Sequence, residues 1–551
     1  MRKKLLAGVM ALALCSTNMP PQTIFAGEFT SGNLEEVTEE TPEIFSDDNQ
    51  EVIEETEEEL SVFSSENVPE FSSEVNIMSA TADETEPIGI DMNDITNLNY
   101  YDSSKGIWKI TSAGSYRFNG TGNNDAPILI DHIDSGTVKV YLNNVNIHSA
   151  DRTPPLRITN TVHADVYIYL ESSNLLQSTY INSAALQIDG TTKLIIDNSP
   201  GTNGSLTANS SKHGTGIGSS GNSDLSPAFH IIIKGGAVTA SSFRSMGIGG
   251  NNSNITIKGG LVKVSSDQWC AIGGTKSNIT IDGGSVKASS RTHFGIKSSS
   301  LTINGGSVTA SSEEEPKEDI SSNQIIINGG SVKASSVSSS PTNDHGEKVY
   351  CCTIENLNSK KVIIDQNLKP WEPNNHQAVN PTDTNLYAWL TGEDHIVNVG
   401  TERRSYIFDS EDSESGTFSN TKRNATSDIF EFKGPRNFIY NGSSQTPSIT
   451  VNDTIKGVVN FTVKYFKEND STTEITEPKD VGTYIVKIDV NGGDFYNASS
   501  DYLTNENWKF DINPGTLTPK ITEHTGTYDG ISYPVITIDQ NTIPQNSIIA
   551  Y

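Results

Sequence analysis

A repeat between residues 231 and 336 constrains the fold of this chain more than any other feature. Each of its five copies resembles Ile279-Thr-Ile-Asp-Gly-Gly-Ser-Val-Lys-Ala-Ser-Ser. The Gly-Gly pairs begin at Gly235, Gly259, Gly283, Gly305 and Gly329, so the period is 22–24 residues. A repeat of this length without helical spacing is typical of a solenoid.

Alternation of apolar and polar residues within each copy predicts β-strands. The segment that begins at Ile279 is apolar at every second position, as is the Val-Lys-Ala segment after the glycines. A third segment, such as Ala271-Ile-Gly-Gly, precedes both. The Gly-Gly pair supplies the positive φ that a sharp turn needs. Three strands per copy predict a parallel β-helix whose coils stack at roughly 4.8 Å.

Stacked coils predict ladders of like residues that point into the core. Three such ladders are expected, containing Ile255, Ile279, Leu301 and Ile325; Ile257, Ile281, Ile303 and Ile327; and Val262, Val286, Val308 and Val332. Met246, Cys270 and Phe294 each stand two residues before an isoleucine, so we expect all three to point inward. Outward positions hold Lys, Thr, Ser and Asn, which places Lys263 and Lys287 on the surface.

The first part of the chain has the pattern of an exported protein. Residues 1–26 begin with Arg2-Lys-Lys, continue with an apolar run and end in a cleavage-like Ile24-Phe-Ala, as secretory signals do. Residues 27–87 are acidic, contain no Lys or Arg, and predict a disordered linker. We expect the protein to be secreted, either extracellular or bound to the cell wall. The formal net charge of −30 argues against nucleic acid as a partner.

Residues 88–366 are predicted to form the parallel β-helix, with roughly nine coils. Ile107-Trp-Lys-Ile and Gly114-Ser-Tyr-Arg-Phe are expected to pair as strands that cap its open end, because an uncovered coil exposes unpaired backbone groups. After Ser336, the segments Cys352-Thr-Ile and Val362-Ile-Ile-Asp predict one further coil. Residues 367–427 begin as a Pro- and Asn-rich joint and continue with strands that would close the far end.

The pattern of strands and turns in the sequence changes again near residue 428. Spaced strands with turn signals predict a small β-sandwich over residues 428–513. Tyr528-Asp-Gly then repeats Tyr440-Asn-Gly, so residues 514–551 are expected to begin a second such unit. Because about 40 residues are too few to complete it, we expect the sequence to be a fragment. Any attachment to the cell wall is expected to lie beyond its end.

Catalytic residues, metal ligands and cofactors are not expected. A glycoside hydrolase needs paired carboxylates, but the acidic turn residue Asp282 has Lys or Asn at the equivalent positions of the other regular coils. His213 and His345 have no acid in register. Calcium-binding Gly-Gly repeats need an Asp at a fixed offset, where this chain has Ser253-Asn and Ser277-Asn. A polysaccharide lyase or hydrolase is the least favoured alternative.

Exposed aromatic residues are the candidate binding residues, because apolar faces of sugars stack on aromatic rings. Trp269 precedes the inward Cys270 and is expected to face outward. Trp371, Tyr387 and Trp389 cluster in sequence near the joint and are candidate ligand contacts. The alternative is that Trp371 and Trp389 cap the solenoid core. The expected partner is an extracellular glycan or a host or cell-surface protein.

Two stretches resemble known families. Residues 95–366, with coils such as Ile281-Asp-Gly-Gly-Ser-Val, resemble the β-helical region of large secreted bacterial proteins that are often described as carbohydrate-binding. Residues 428–551 resemble the MBG and YDG repeats of bacterial surface proteins, through Tyr440-Asn-Gly, Asp480-Val-Gly-Thr-Tyr and Tyr528-Asp-Gly. The resemblance implies an all-β protein, a right-handed parallel β-helix followed by Ig-like repeats, without catalysis. The leading hypothesis is an adhesin-like or ligand-display scaffold, and the alternative is a carbohydrate-binding module on the same frame.

Overall fold

The structure is a computed structural model of the whole chain. It describes residues 86–120, 126–221, 228–314, 318–355, 357–358, 360–365, 384–410 and 415–516, and parts of 519–539. The predicted signal, nearly all of the predicted linker, and Trp371 therefore lie outside the described residues. The described part is β-structure apart from one short 3-10 helix, Ser427–Ile429. No helix in this part is long and apolar enough to cross a membrane.

A parallel β-helix with three ladders of strands forms the main body, which confirms the predicted fold class. Ladder 1 contains Ile107–Ile110, Ile128–Ile130, Leu156–Ile158, Leu186–Ile188, Ile217–Gly218, Ile248–Gly249 and Ile272–Gly273. Ladder 2 contains Ile88–Asp91, Gly114–Asn119, Thr137–Asn143, Asp165–Leu170, Lys193–Asn198, Phe229–Ile233, Ser253–Ile257 and Asn278–Ile281. The long strands Ile296–Ile303 and Ile320–Ile327 complete both ladders.

Ladder 3 forms a separate eight-stranded parallel sheet. Its strands are Asn146–Ser149, Ser173–Ser178, Ser205–Ser210, Ala237–Ser242, Leu261–Ser266, Ser285–Ser290, Ser307–Ser312 and Ser331–Lys333. With ten strands in the described part of ladder 2, the rod has about ten coils, one more than the sequence suggested.

The predicted inward ladders form the core of the rod. Ile255, Ile279 and Leu301 are in register and fully buried, as are the valines of ladder 3. Burial of each such side chain contributes about 1.5–3 kcal/mol relative to exposure. Lys263 and Lys287 are exposed, as expected. The parity read from the sequence is therefore confirmed in the regular coils.

Amides and carboxylates form a further ladder beside the Gly-Gly turns. The Asn328 side-chain amide donates to Asn304 Oδ1 at 2.9 Å, and the Asn304 amide donates to Asp282 Oδ1 at 2.9 Å. Asp282 thus takes part in the stacking of the coils.

The expected cap at the start of the solenoid is corrected. Ile107–Ile110 and Gly114–Asn119 do not pair with each other; each pairs in parallel with the next coil, and Trp108 is fully buried. Alternation of apolar and polar residues is the same in a capping strand and in a strand of a coil, so the sequence pattern does not distinguish the two. Tyr101–Asp102, antiparallel to Ile107–Ile110, and the strand Ile88–Asp91 precede this coil instead.

The predicted coil after Ser336 is also wrong. Val349–Ile354 pairs antiparallel with Leu386–Thr391, and Val362–Ile364 pairs antiparallel with His395–Val399. The sequence pattern matched the coils, but no Gly-Gly follows Ile364, so the chain lacks the turn into a third strand. Cys352 is buried as expected, although in the core of this terminal sheet and not in the rod.

The far end of the rod is closed by an antiparallel cap. Its strands are Val349–Ile354, Val362–Ile364, Leu386–Thr391, His395–Val399, Glu402–Ser410 and Gly416–Ser419. Trp389 packs against the rod core and donates from Nε1 to the carbonyl of Val332 at 3.0 Å. Trp389 therefore has the capping role that was one of its two predicted roles.

A small β-unit follows the cap. A five-stranded sheet of Asn437–Ile439, Val459–Lys467, Asp470–Ile475, Gly482–Gly493 and Leu503–Asn513 shares one core with the pair Phe430–Lys433 and Ser448–Val451. Arg403 of the cap forms a two-pronged ion pair with Asp494 of this unit, at 2.8 and 2.9 Å. Beyond it, Ile521–Glu523 pairs with Ile536–Ile538. Assignment of this unit to the MBG or YDG repeats stays a prediction.

A buried histidine connects two strands of the cap. His395 is 3% exposed, and its two ring nitrogens contact Asp365 Oδ2 and the carbonyl of Thr391, at 2.5 and 2.9 Å. Burial lowers the pKa of His395, but the hydrogen bonds to Asp365 and Thr391 and the nearby carboxylate of Glu393 outweigh it, so the pKa is raised. Both ring nitrogens have an oxygen atom within hydrogen-bond distance, an arrangement that favours the protonated ring.

We expect the cap to lose stability as pH rises. The pKa of His395 in the folded state lies above its unfolded value of about 6.5, so its contribution is complete below about pH 6.5 and is lost as pH rises through the folded-state pKa. Thermal unfolding between pH 6 and 9 should show this decline in the wild type and not in His395→Gln. An equal decline in both proteins would contradict the assignment.

Candidate functional site

Three tyrosines lie together on the outward face of ladder 2. The alternation of Thr137–Asn143 turns Tyr141 outward, and that of Asp165–Leu170 turns Tyr167 and Tyr169 outward. The register of the two strands sets Tyr141 directly beside Tyr169. All three side chains are half-buried. We call these three residues the tyrosine face.

The rings of the tyrosine face form a stack. Tyr141 and Tyr169 have ring centroids 4.9 Å apart and planes 21° apart, and Tyr167 lies 6.0 Å from Tyr169 at 16°. The guanidinium of Arg117 lies 5.4 Å from the Tyr141 ring centroid, and Lys234 Nζ lies 5.8 Å from that of Tyr167. Cations therefore bound an aromatic stack that follows the coil spacing.

Ion pairs flank the stack. Arg117 donates from two nitrogens to the two carboxylate oxygens of Glu171, each at 3.1 Å. Lys193 Nζ contacts Asp165 Oδ2 at 3.1 Å. Burial raises the pKa of the Tyr169 phenol, so its hydroxyl remains a donor at neutral pH. The face thus combines aromatic surface with paired donors and acceptors.

These tyrosines were not predicted as binding residues from the sequence. Each sits in an alternating segment, Val138-Lys-Val-Tyr-Leu or Val166-Tyr-Ile-Tyr-Leu, which sets its outward direction. Their proximity depends on the register of two irregular coils 28 residues apart, as seen in the pairing of Tyr141 with Tyr169. An alignment of the two segments on their outward residues would have found the pair.

The predicted site residue Trp269 lies in a turn between ladders 3 and 1. Ser266 Oγ accepts the backbone N–H of Trp269 at 3.0 Å and donates to the carbonyl of Ser245 in the preceding coil at 2.7 Å. Ser290 repeats both bonds one coil later, to the N–H of His293 and the carbonyl of Trp269. Ser266 and Ser290 therefore fix the turn that carries Trp269.

Trp269 is half-buried, so the expected outward direction is met only in part. Its ring lies 4.9 Å from the ring of His293, and its Nε1 is buried without a hydrogen-bond partner. Phe243, in the same turn of the preceding coil, is 42% exposed. Beside the Trp269 turn, Arg291 Nε forms an ion pair with Asp267 Oδ1 at 2.5 Å. This turn offers an aromatic edge with less open surface than the sequence predicted.

The neighbouring inward prediction needs one correction. Met246 and Cys270 are fully buried, but Phe294 is half-exposed, with Lys297 Nζ 4.3 Å from its ring centroid. In the next coil, the residue two positions before Ile320, which pairs with Ile296, is the charged Glu318 and not an apolar residue that could cover the ring. Burial also raises the pKa of Cys270 to about 12, which leaves an inert thiol.

Of the remaining predicted site residues, Tyr387 and Trp389 lie two positions apart on the strand Leu386–Thr391. Tyr387 is half-buried, and Lys333 Nζ lies 5.2 Å from its ring centroid. Trp389 caps the core, and Trp371 lies outside the described residues. A cleft of about 670 Å³ lies between the last coil and the cap, and Trp389 is among its lining residues. Trp269 lies several coils away, so the three described residues of the predicted set do not form one site.

A buried carboxylate organises the corner of an early coil. Asp131 Oδ1 accepts hydrogen bonds from Thr159 and Thr161 at 2.8 and 2.9 Å. Its Oδ2 pairs with His132 at 2.7 Å and Lys109 at 3.5 Å. Burial alone would raise the pKa of Asp131, but these contacts have the larger combined effect and lower the pKa to about 2. Four side chains thus surround the carboxylate and hold this corner together.

The described residues contain no group of three or more His, Cys, Asp or Glu side chains that could hold a metal ion. What they do contain is a β-solenoid with an aromatic and polar outer face. Residues 104–191 match a family model described as "carbohydrate-binding domain-containing protein". No curated protein and no solved structure matches the chain.

The matched stretch contains the whole tyrosine face and the Arg117–Glu171 pair, and it ends well before Trp269. The chain is thus similar to carbohydrate-binding proteins over about a sixth of its length. The likeness supports the carbohydrate-binding alternative of the sequence analysis.

Proposed function

We propose that the protein binds carbohydrate through the tyrosine face. The proposal rests on the position of the tyrosine face within the matched stretch of the chain. The stretch similar to carbohydrate-binding proteins, residues 104–191, contains the stacked Tyr141, Tyr167 and Tyr169. Aromatic side chains with a polar tip are suited to a ligand that has apolar faces and many hydroxyl groups.

The chemistry of the face fits a neutral sugar chain. Exposed parts of the tyrosine rings offer apolar surface to sugar C–H groups. The phenol hydroxyls and the Arg117–Glu171 and Lys193–Asp165 pairs supply donors and acceptors for sugar hydroxyls. Because the charges on these flanks are balanced, no net charge is demanded of the ligand.

The proposal includes an extracellular setting. The signal-like residues 1–26 and the acidic residues 27–87 support export and separation from the cell. The β-unit of residues 428–513, with its MBG-like motifs, would act as a spacer. In this arrangement the rod displays a carbohydrate-binding surface, which is an adhesin-like role without a catalytic step.

Binding of neutral polysaccharides by the full chain tests the proposal. β-Glucan, xylan and mannan are suitable probes, measured by titration calorimetry. Tyr169→Ala should weaken binding of the recognised polysaccharide about tenfold, which corresponds to about 1.4 kcal/mol for a lost aromatic contact. Tyr169→Phe should retain the part that comes from the ring.

Two control variants separate this face from other surfaces. Tyr440, which is 38% exposed on the C-terminal β-unit, provides a matched tyrosine, and Tyr440→Ala should bind as the wild type does. Trp269→Ala should also retain binding. Loss of binding in Trp269→Ala but not in Tyr169→Ala would move the site to the turn and contradict the proposal.

A further inference from the structure

The outward face of ladder 3 carries a row of lysines. The register aligns Lys263 with Lys287, then Thr309, then Lys333. All three lysines are exposed. The strands of this ladder, as described from Asn146 to Lys333, contain no Asp or Glu. We call Lys263, Lys287 and Lys333 the lysine row.

The cations of the lysine row differ from those on the other two ladders. Arg157 pairs with Asp189 on ladder 1, and Lys193 pairs with Asp165 on ladder 2. Lys263 and Lys287 form no ion pair with any residue that the structure describes. The row thus presents positive charge that the fold does not neutralise.

The surroundings of the lysine row make it accessible. Its neighbours on the outward face are short, such as Thr239, Ser265 and Ser289. The long lysine side chains therefore extend beyond the short side chains that surround them. Adjacent coils are roughly 4.8 Å apart, so Lys287 and Lys333, two coils apart, are separated by roughly 10 Å. Charges at this spacing suit a ligand with regularly repeated anionic groups.

The acidic character of the whole chain does not cancel this local charge. Residues 27–87 contain 20 of the 68 Asp and Glu residues and no Lys or Arg. They account for −20 of the net −30, so two thirds of the excess lies outside the solenoid. Screening limits interactions between exposed charges to about 10 Å at 0.1 M salt. The described strands of ladder 3 themselves offer a ligand the lysine row and no carboxylate side chain.

We propose that ladder 3 binds an acidic polysaccharide, with the sugar chain along the rod and its carboxylates on the lysine row. Tyr387 extends the site at the cap end, where Lys333 Nζ lies 5.2 Å from its ring centroid. The site lies on a different ladder from the tyrosine face and does not depend on it.

Polygalacturonate and its methyl ester form the test, because they share a sugar backbone and differ in charge. The full chain should bind polygalacturonate at 50 mM salt and bind the ester at least tenfold more weakly. The double variant Lys263→Gln, Lys287→Gln should lose about tenfold in affinity for the acid form. Lys258→Gln, at an exposed position on the neighbouring turn, changes net charge without touching the row and should bind within twofold of the wild type.

Two outcomes would overturn the proposal. Equal affinity for the acid and the ester would show that charge is not recognised. An unchanged double variant, with an unfolding midpoint equal to that of the wild type, would place the anion elsewhere. Tyr169→Ala should leave polygalacturonate binding intact, and its loss there would contradict a separate site. This control also keeps the result independent of the neutral-sugar proposal.

Discussion

Gly284→Ala is expected to cost about 4 kcal/mol of folding free energy, whereas Gly201→Ala should cost about 1–2 kcal/mol. Both glycines have φ of +79°. Both alanines therefore carry the same backbone strain. The two sites differ in what a new methyl group would meet.

The difference arises from the stacking of coils. A Cβ at Gly284 would lie 2.7 Å from both Gly259 C and Gly260 O of the preceding coil, which are backbone atoms that no rotamer change can move. A Cβ at Gly201 would have nothing within 4 Å. The extra loss in Gly284→Ala thus measures the close approach of one Gly-Gly turn to the next.

Urea unfolding followed by circular dichroism would measure both variants. The stability of a solenoid depends on contacts between neighbouring coils, and a loss at one interface affects the coils beside it first. The midpoint of the first unfolding transition is therefore the quantity to compare between the two variants. If the two variants lost equal stability, the coils would not be in contact at the Gly-Gly turns, and the stacking register would be wrong.

Asp131→Asn is expected to lose about 2–3 kcal/mol of stability at pH 7. The pKa of Asp131 is lowered from 3.8 to about 2, and each unit corresponds to 1.36 kcal/mol. The asparagine amide would present a donor to Lys109 and His132, which are donors themselves. Asp282→Asn is the matched control. Asn304 and Asn328 already occupy the equivalent positions, so that amide can continue their ladder without loss.

The pH dependence gives the same variant a second readout. Because the folded-state pKa of Asp131 is depressed, its contribution is complete above about pH 4 and is lost as pH falls toward 2. The stability gap between the wild type and Asp131→Asn should therefore close on acidification. A gap that stayed constant from pH 7 to pH 2 would show that the charge of Asp131 does not stabilise the fold.

The regular coils could be predicted from the sequence because their physics is local and repeated. The positions of Ile279 and Val286 within the repeat set strand, parity and stacking together. The prediction of a further coil after Ser336 was wrong for a different reason. Val362-Ile-Ile-Asp carries the alternation of a coil strand, but strand direction depends on the turn that follows, and no Gly-Gly follows it.

The candidate site was less predictable than the fold. Trp269 was found as a lone aromatic residue, and its contact with His293 follows from the 24-residue period between them. The tyrosine face required the register between coils of unequal length. The lysine row was visible as outward Lys263 and Lys287, but whether these two lysines pair with an acid among the described residues depends on side-chain positions across several coils.

A crystal structure of the protein with a bound neutral oligosaccharide, taken from the polysaccharide it recognises, tests the central claim most directly. We expect the sugar to lie across Tyr141, Tyr167 and Tyr169, with its hydroxyl groups within hydrogen-bond distance of the Arg117–Glu171 or Lys193–Asp165 pair. Density for the sugar in the cleft between the last coil and the cap, or beside Trp269, with the tyrosine face empty, would contradict it.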